Sequence, residues 1–173
     1  MEYFTINNKR IPVLGFLLSD FNNYNINSPL IYINDSIIML NDSPLVIANQ
    51  NNYLNLILLN NNNILIGLNI DDFSFLHNLN IKPHFIIINN FNIEIINYCK
   101  NNNILIIYFG KLLDINISNK IIKKYKKTKN QIIIRFLLDM GLIFISNELL
   151  NNNDINVFNF CLDNDDINVF NKL

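Results

Sequence analysis

A chain of 173 residues is long enough to bury the core of one domain, and its 50% hydrophobic content argues against wholesale disorder. The net charge of −1 gives no overall indication of a nucleic-acid protein, and two cysteines 62 positions apart, Cys99 and Cys161, cannot form a disulfide framework. Asn and Ile together supply 71 residues, and this bias is typical of a very A/T-rich genome.

The composition and the start of the chain together suggest a compartment. The first residues lack both a secretory apolar core and the Arg/Ser-rich pattern of a transit peptide. We therefore expect an organelle-encoded protein of the mitochondrial matrix, with a plastid-type organelle or the cytoplasm of a reduced endosymbiont as alternatives. No apolar run approaches the roughly 18 to 20 residues that span a bilayer, so we expect no membrane association.

The first half of the chain predicts strands separated by polar turns. Residues 13–18 are apolar, and residues 30–33 and 37–40 resemble a short hairpin. Residues 45–48 predict a buried strand, and the apolar positions from Tyr53 to Leu58 have helical spacing.

The second half alternates strands and helices. Residues 64–67, 85–88 and 104–109 are continuous apolar runs of strand length, and residues 92–101 predict a short helix between the last two. Residues 131–147 carry apolar side chains at helical spacing, which predicts one long final helix.

This alternation favours crossover connections onto a parallel sheet. We predict an α/β fold with a three-layer, Rossmann- or flavodoxin-like, mostly parallel sheet of about four or five strands. Residues 1–147 would form the single domain, and residues 148–173 an acidic, Asn-rich tail. The tail holds a short tandem repeat, since the motif Asp-Ile-Asn-Val-Phe-Asn at 154–159 recurs at 166–171.

The motifs of common catalytic sites are missing from the sequence. The glycines Gly15, Gly67, Gly110 and Gly141 are isolated, so no phosphate-binding loop is recognisable. His77 and His84 lack partners at zinc-ligand spacing, and the pair Asp71-Asp72 is typical of a turn. The sequence therefore predicts no enzyme, no catalytic residues, no cofactor, no metal and no small-molecule substrate.

A cluster of basic residues is the strongest chemical signal. Six lysines within ten positions repel one another unless water or a polyanion offsets their charge, and a tyrosine among them could stack on a base. We read this segment as a loop after the last strand. The predicted RNA-binding residues are Lys120, Lys123, Lys124, Tyr125, Lys126, Lys127 and Lys129.

The order of elements resembles small-subunit ribosomal protein two, the S-two family. The resemblance is carried by Leu45-Val46-Ile47-Ala48-Asn49, by Ile66-Gly67-Leu68-Asn69 with Phe73, by Lys82-Pro83-His84 and the strand after it, and by Asn130 with the apolar stretch 132–145. It covers roughly residues 12–147. The segment between Phe75 and Lys82 is too short for the family's projecting helical hairpin, so we expect that insertion to be absent.

This resemblance implies a structural constituent of the small subunit of an organelle ribosome, most simply a mitochondrial one. Its partners would be small-subunit ribosomal RNA and neighbouring ribosomal proteins. Two alternatives stay open: a protein-interaction module of α/β fold, and a small nucleotide-binding α/β enzyme.

Overall fold

The strands of this chain are short runs of Ile, Leu, Val and Phe, which suit a pleated backbone covered on both faces. The computed structural model describes residues 3–6, 9–12, 14–17, 31–33, 37–40, 43–48, 65–70, 73–148, 150–151 and 153–170, and of their side chains only those from residue 67 onward. The strands within these residues are β1 (Tyr3–Ile6), β2 (Lys9–Pro12), β3 (Leu14–Leu17), β4 (Ile31–Ile33), β5 (Ile37–Leu40), β6 (Ser43–Ala48), β7 (Leu65–Asn69), β8 (Phe85–Ile88), β9 (Leu105–Gly110) and β10 (Leu142–Ser146). The helices are α1 (Phe73–His77), α2 (Ile93–Asn101), α3 (Asn119–Tyr125), α4 (Lys129–Asp139) and α5 (Asn164–Phe170).

The strands close into a barrel. Their order around it is β10-β3-β4-β5-β6-β7-β8-β9, and β9 returns to pair with β10. All neighbours are parallel except those of β5, which runs antiparallel to both β4 and β6. Strands β1 and β2 form a separate antiparallel pair.

The two faces of the strands β7 to β10 pack against different partners. Leu68, Ile86, Ile106 and Phe144 share one hydrophobic cluster with the buried side chains of the helices. Because side chains alternate along a strand, Gly67 and its strand partner Phe85 face the barrel interior. The ring of Phe85 lies where a Cβ on residue 67 would stand, so only glycine fits beneath it.

The helices are fixed at their ends by side-chain caps. The Asn92 side chain accepts hydrogen bonds from the backbone N–H groups of Glu94 and Ile95 at 2.9 and 3.1 Å, and this cap starts α2. Thr128 and Gln131 form a reciprocal capping box at the start of α4. Every residue of α4 from position 131 to 138 is buried, so α4 is covered on its outer side as well as by the barrel.

The outer cover of α4 is the C-terminal strap, which we define as residues 150–151 and 153–170. Its side chains Val157, Leu162 and Phe170 are buried in the same cluster as the helices and strands. The buried Arg135 of α4 binds Asp139, whose other carboxylate oxygen accepts from the Leu162 N–H at 2.9 Å. The strap is thus bound to α4 by both apolar and polar contacts.

Several predictions of local structure are confirmed. Strands occur near 45–48, 64–67, 85–88 and 104–109, a helix near 92–101, and an antiparallel pair at 30–33 and 37–40. The α/β class and the mostly parallel sheet are confirmed too. The helical stretch predicted around Tyr53 lies outside the described residues, and the proposed boundary between a domain at 1–147 and a tail at 148–173 stays a prediction.

The open three-layer sheet is corrected by the closed barrel. A three-layer sheet has two edge strands, whereas β10 here pairs with β9 on one side and β3 on the other. The sequence did not predict the pairing of β10 with β3 because the two strands are far apart along the chain. The helical hairpin was expected to be absent between Phe75 and Lys82. In the structure, the short link 78–84 joins α1 to β8.

Two further predictions near the end of the chain are wrong. Residues 131–147 are not one helix, because α4 ends before Gly141, whose φ of +77° is a left-handed helix end, and β10 follows. The lysine segment is not a loop either. Residues 119–125 form α3, which starts at the cap Ser118.

Candidate active site

Polar residues lie at or just beyond the C-terminal ends of four neighbouring parallel strands. Asn69 ends β7, Asn89 follows β8, Lys111 follows β9 and Asn147 follows β10. The carboxyl ends of parallel strands meet at one end of a barrel, and in α/β barrels that end carries the active site. A functional site is therefore expected at this face of the barrel.

A cleft of about 410 Å³ opens at this face. It is lined by the amides of Asn89, Asn90 and Asn147, by the aromatic residues Tyr108 and Phe109, and by the segment from Lys111 to Asp114. A volume of a few hundred Å³, with mainly apolar walls and a few placed polar groups, is typical of a small-molecule site. A second hollow of about 360 Å³ shares Asn89 and Asn90 and extends towards the start of α2.

The wall after β9 is shaped by Tyr108. Its hydroxyl donates to the carbonyl of Lys111 at 2.9 Å, and its ring stacks on Phe144 with centroids 5.8 Å apart. Burial raises the pKa of Tyr108. The phenol therefore stays protonated and bonded to the backbone, which makes it a structural part of the wall.

Two contacts between the chain segments after β9 and β10 form the rim of the cleft. Lys111 pairs with Glu148 at 2.9 Å, and the Asn147 N–H donates to the Gly110 carbonyl at 3.2 Å. The hydrogen bond to Glu148 raises the pKa of Lys111, which stays a cation. Because this pair is exposed, it is weak, and a bound anion could replace Glu148.

The side-chain amide of Asn69 has a feature that points to a ligand at this end of the barrel. Its Oδ1 atom is buried and has no hydrogen-bond partner among the described residues. Asn69 lies two positions after Gly67 on the same strand, so its side chain also faces the barrel interior. Buried polar atoms are nearly always paired, and an orphaned acceptor at this end of the barrel is open to a donor from a ligand or water.

Other reactive groups do not contribute to the cleft. Burial raises the pKa of the Cys99 thiol to about 12, so this cysteine is an inert core residue. Among the described residues no group of three or more His, Cys, Asp or Glu side chains could hold a metal ion. No helix in the described ranges has the length and apolar character needed to cross a membrane.

The predicted RNA-binding residues lie on α3, in the turn after it and at the first position of α4, and none of them lines the cleft. Lys120, Lys123 and Lys126 are exposed, whereas Lys124 and Tyr125 bind acidic residues of the strap. The remaining two also have partners: Lys127 binds Asn159 at 2.7 Å, and Lys129 binds Asp114 at 3.3 Å. Three of these seven residues, Lys124, Tyr125 and Lys127, thus contact the strap.

Little in the sequence points to the polar residues at this end of the barrel. A polar residue directly after an apolar strand is the pattern that could have found Asn69, Asn89 and Asn147. In a chain with 38 asparagines that pattern recurs at most loops, so it does not single out a site.

The comparisons with known proteins bear on the fold. No family model matches the chain, and no curated protein matches it either. Among solved structures, the chain is similar to an aldo/keto reductase from Brucella melitensis (19% identity, 74% of this chain and 60% of that chain, TM-score 0.61). It is also similar to the aldose reductase from Schistosoma japonicum (23% identity, 68% and 44%, TM-score 0.56). A third match is an aldo-keto reductase complexed with NADPH (19% identity, 68% and 44%, TM-score 0.53).

These matches correct the ribosomal interpretation. The solved structures that the chain resembles are aldo-keto reductases, so the resemblance to ribosomal protein two is wrong. The expectations that rested on it are overturned as well: a role in translation, ribosomal RNA and ribosomal proteins as partners, no enzyme and no small-molecule substrate. The chain spans roughly half the length of the structures it matches, and at this identity the likeness shows the fold alone.

Proposed function

We propose that this chain belongs to an oxidoreductase that binds NADPH and a small carbonyl compound at the C-terminal face of its barrel. The observation that carries the proposal is the cleft at the carboxyl ends of β8, β9 and β10, in a barrel whose fold is that of the aldo-keto reductases. One of the matched structures contains NADPH.

The described residues fit the groups that such a cofactor presents. The orphaned Asn69 Oδ1 can accept a hydrogen bond from an amide or hydroxyl group, and the Asn89, Asn90 and Asn147 side chains can both donate and accept. Lys111 can meet a phosphate, since its side chain is 73% exposed and its pair with Glu148 is weak. When bound, NADPH supplies a hydride for carbonyl reduction.

The residues of the chain would bind and orient the ligands. The neutral amides fix polar groups without bringing an unpaired charge into the barrel mouth. Phe109, Leu112 and Leu113 supply apolar walls for the substrate. Tyr108 keeps its proton and holds the turn after β9 in shape, so we assign it no role in proton transfer.

A binding titration tests the proposal. We expect NADPH to raise the melting temperature in a concentration-dependent manner, because a ligand that binds only the native state stabilises it. We also expect oxidation of NADPH when small aldehydes are added. Lys111→Gln should weaken NADPH binding more than Lys100→Gln, which removes an exposed lysine outside the cleft. If neither NADPH nor NADH changes the melting temperature and no aldehyde is reduced, the proposal fails.

A further inference from the structure

The C-terminal strap meets α3 through a compact polar cluster. Lys124 pairs with Asp163 and, at 2.6 Å, with Asp166. The Tyr125 hydroxyl donates to Asp166 at 2.7 Å and accepts from the Asp163 N–H at 2.9 Å. Each bond of this cluster joins α3 to the strap.

Helix α3 has few other anchors. It is seven residues long, and Ile121 is its one buried side chain. Tyr125 is half-buried, and its ring packs against Phe160 of the strap with centroids 5.7 Å apart. Isolated helices of this length are unstable in water, so the contacts with the strap contribute much of what holds α3 in place.

Helix α3 is directly continuous with the wall of the cleft. Residues 111–114 line the cleft, residues 115–118 follow, and Ser118 caps α3. Ile115 and Ile117 are buried in the main hydrophobic cluster together with Ile121. A displacement of α3 would therefore pull on the segment 111–118.

We propose that Lys124, Tyr125, Asp163 and Asp166 form an ionic latch through which the strap holds α3 and the cleft wall 111–118 in place. Opening of the latch loosens both segments and widens the cleft on the side of Leu112 and Leu113. The latch is exposed enough to respond to salt, since the Lys124 and Asp163 side chains are 42% and 50% exposed. The effect on ligand access rests on the proposed function, whereas the latch itself does not.

The acidic residues of α5 supply a matched pair of variants. Asp166 makes the contacts of the latch, whereas its neighbour Asp165 is exposed and makes none with the described residues. Asp166→Asn and Asp165→Asn remove the same charge from the same turn of the same helix. A difference between them therefore reports on the latch and not on net charge.

Amide hydrogen exchange of the full chain, without ligand, tests the latch. We expect Asp166→Asn to exchange roughly tenfold faster than Asp165→Asn in both α3 and residues 111–118, because exchange follows the population of the opened state. Exchange in α2 should be equal in the two variants, which shows that both are folded. About 1 M salt should raise exchange in the native chain towards the level of Asp166→Asn.

Two results would overturn the latch. One is equal exchange in α3 for Asp166→Asn and Asp165→Asn. The other is faster exchange in α3 with no change in residues 111–118, since the wall would then be independent of the strap. Lys124→Gln compared with Lys123→Gln repeats the test from the side of α3, because Lys123 is exposed and outside the cluster. None of these measurements needs NADPH, so failure of the proposed function leaves their outcome intact.

Discussion

Asn69 combines a poor contribution to stability with a favourable position for binding. A buried acceptor without a donor costs free energy in the folded state, and an apolar side chain of the same shape removes that cost. The proposed function gives this acceptor a donor from the ligand, and natural sites often trade stability for function.

Replacement of this residue should separate stability from binding. We expect Asn69→Leu to leave the free energy of unfolding unchanged or to raise it by about 1 kcal/mol, and to weaken NADPH binding about tenfold. Chemical denaturation and a binding titration measure the two quantities. Asn97→Leu, at an exposed position of α2, is the control and should leave binding unchanged. A loss of both stability and binding would show that Asn69 has a structural role.

At the scale of single elements, the tandem repeat shows how context decides conformation. In the first copy Asp154 is buried in a turn, and its carboxylate accepts hydrogen bonds from Asn130 and the Asn151 N–H. Residues 166–170 of the second copy lie in α5, whose first turn is held by Asp163, since the Asp166 and Ile167 N–H groups donate to its side chain and carbonyl. The same short motif therefore lies in a turn in one copy and in a helix in the other, with different hydrogen-bond partners in each.

The break between α4 and β10 depends on one backbone conformation. Gly141 has a φ of +77°, and the atom nearest to an added Cβ would be the Lys100 Cε at 3.9 Å, so space is not the constraint. We expect Gly141→Ala to lower the free energy of unfolding by about 1 kcal/mol, since a left-handed conformation is costly for alanine. Thermal or chemical denaturation measures this. Gly141→Asn should cost less, because asparagine tolerates that region, and equal costs for the two would contradict the explanation.

The strap and α3 respond to pH as one unit. The hydrogen bond that Lys124 donates to Asp163 lowers the pKa of Asp163 and raises the pKa of Lys124. Burial raises the pKa of Tyr125, which donates to Asp166. Asp163 thus stabilises the folded latch above its ordinary pKa of 3.8, and this contribution is lost as the pH falls through its lowered pKa. Lys124 contributes below its ordinary pKa of 10.5, and that contribution is lost as the pH rises through its raised pKa.

The ratio of exchange rates in α3 between Asp166→Asn and the native chain should therefore be constant near neutral pH. It should fall towards one as the pH falls through the lowered pKa of Asp163, below the ordinary value of 3.8, because the native latch then opens as well. The ratio cancels the intrinsic pH dependence of amide exchange. If the ratio already declined between pH 5 and 8, groups other than the four residues of the latch would hold α3 against the strap.

At the scale of the whole molecule, the sequence predicted most individual strands and some of the helices, but it did not predict that the strands close into a barrel. Continuous apolar runs predicted the strands at 85–88 and 104–109 because β-branched residues and length agree there. The helix at 131–147 was overextended because a helical spacing of Ile and Phe continues through Gly141 into β10. The cleft was not predicted because its amides belong to asparagine, the commonest residue type in the chain. The organelle location inferred from composition stays a proposal that no comparison tests.

The basic segment shows why a charge pattern alone assigns a partner poorly. Six lysines in ten positions predicted a polyanion, and the fold gives one of them, Lys124, two acidic partners from the strap of the same chain. Asp163 and Asp166 lie about forty positions later in sequence. Charge compensation over that distance is visible only after the strap has been placed across α4.

The seam between β3 and β10 has a consequence for the synthesis of the chain. Phe144 pairs with Leu14, 130 positions earlier, whereas β4, β5 and β6 pair with their immediate neighbours in sequence. Because strands add from the ribosome in order, β3 keeps an unpaired edge until residue 146 has emerged. Open strand edges are templates for pairing with other chains. Until β10 has emerged, the free edge of β3 therefore exposes the nascent chain to pairing with other chains.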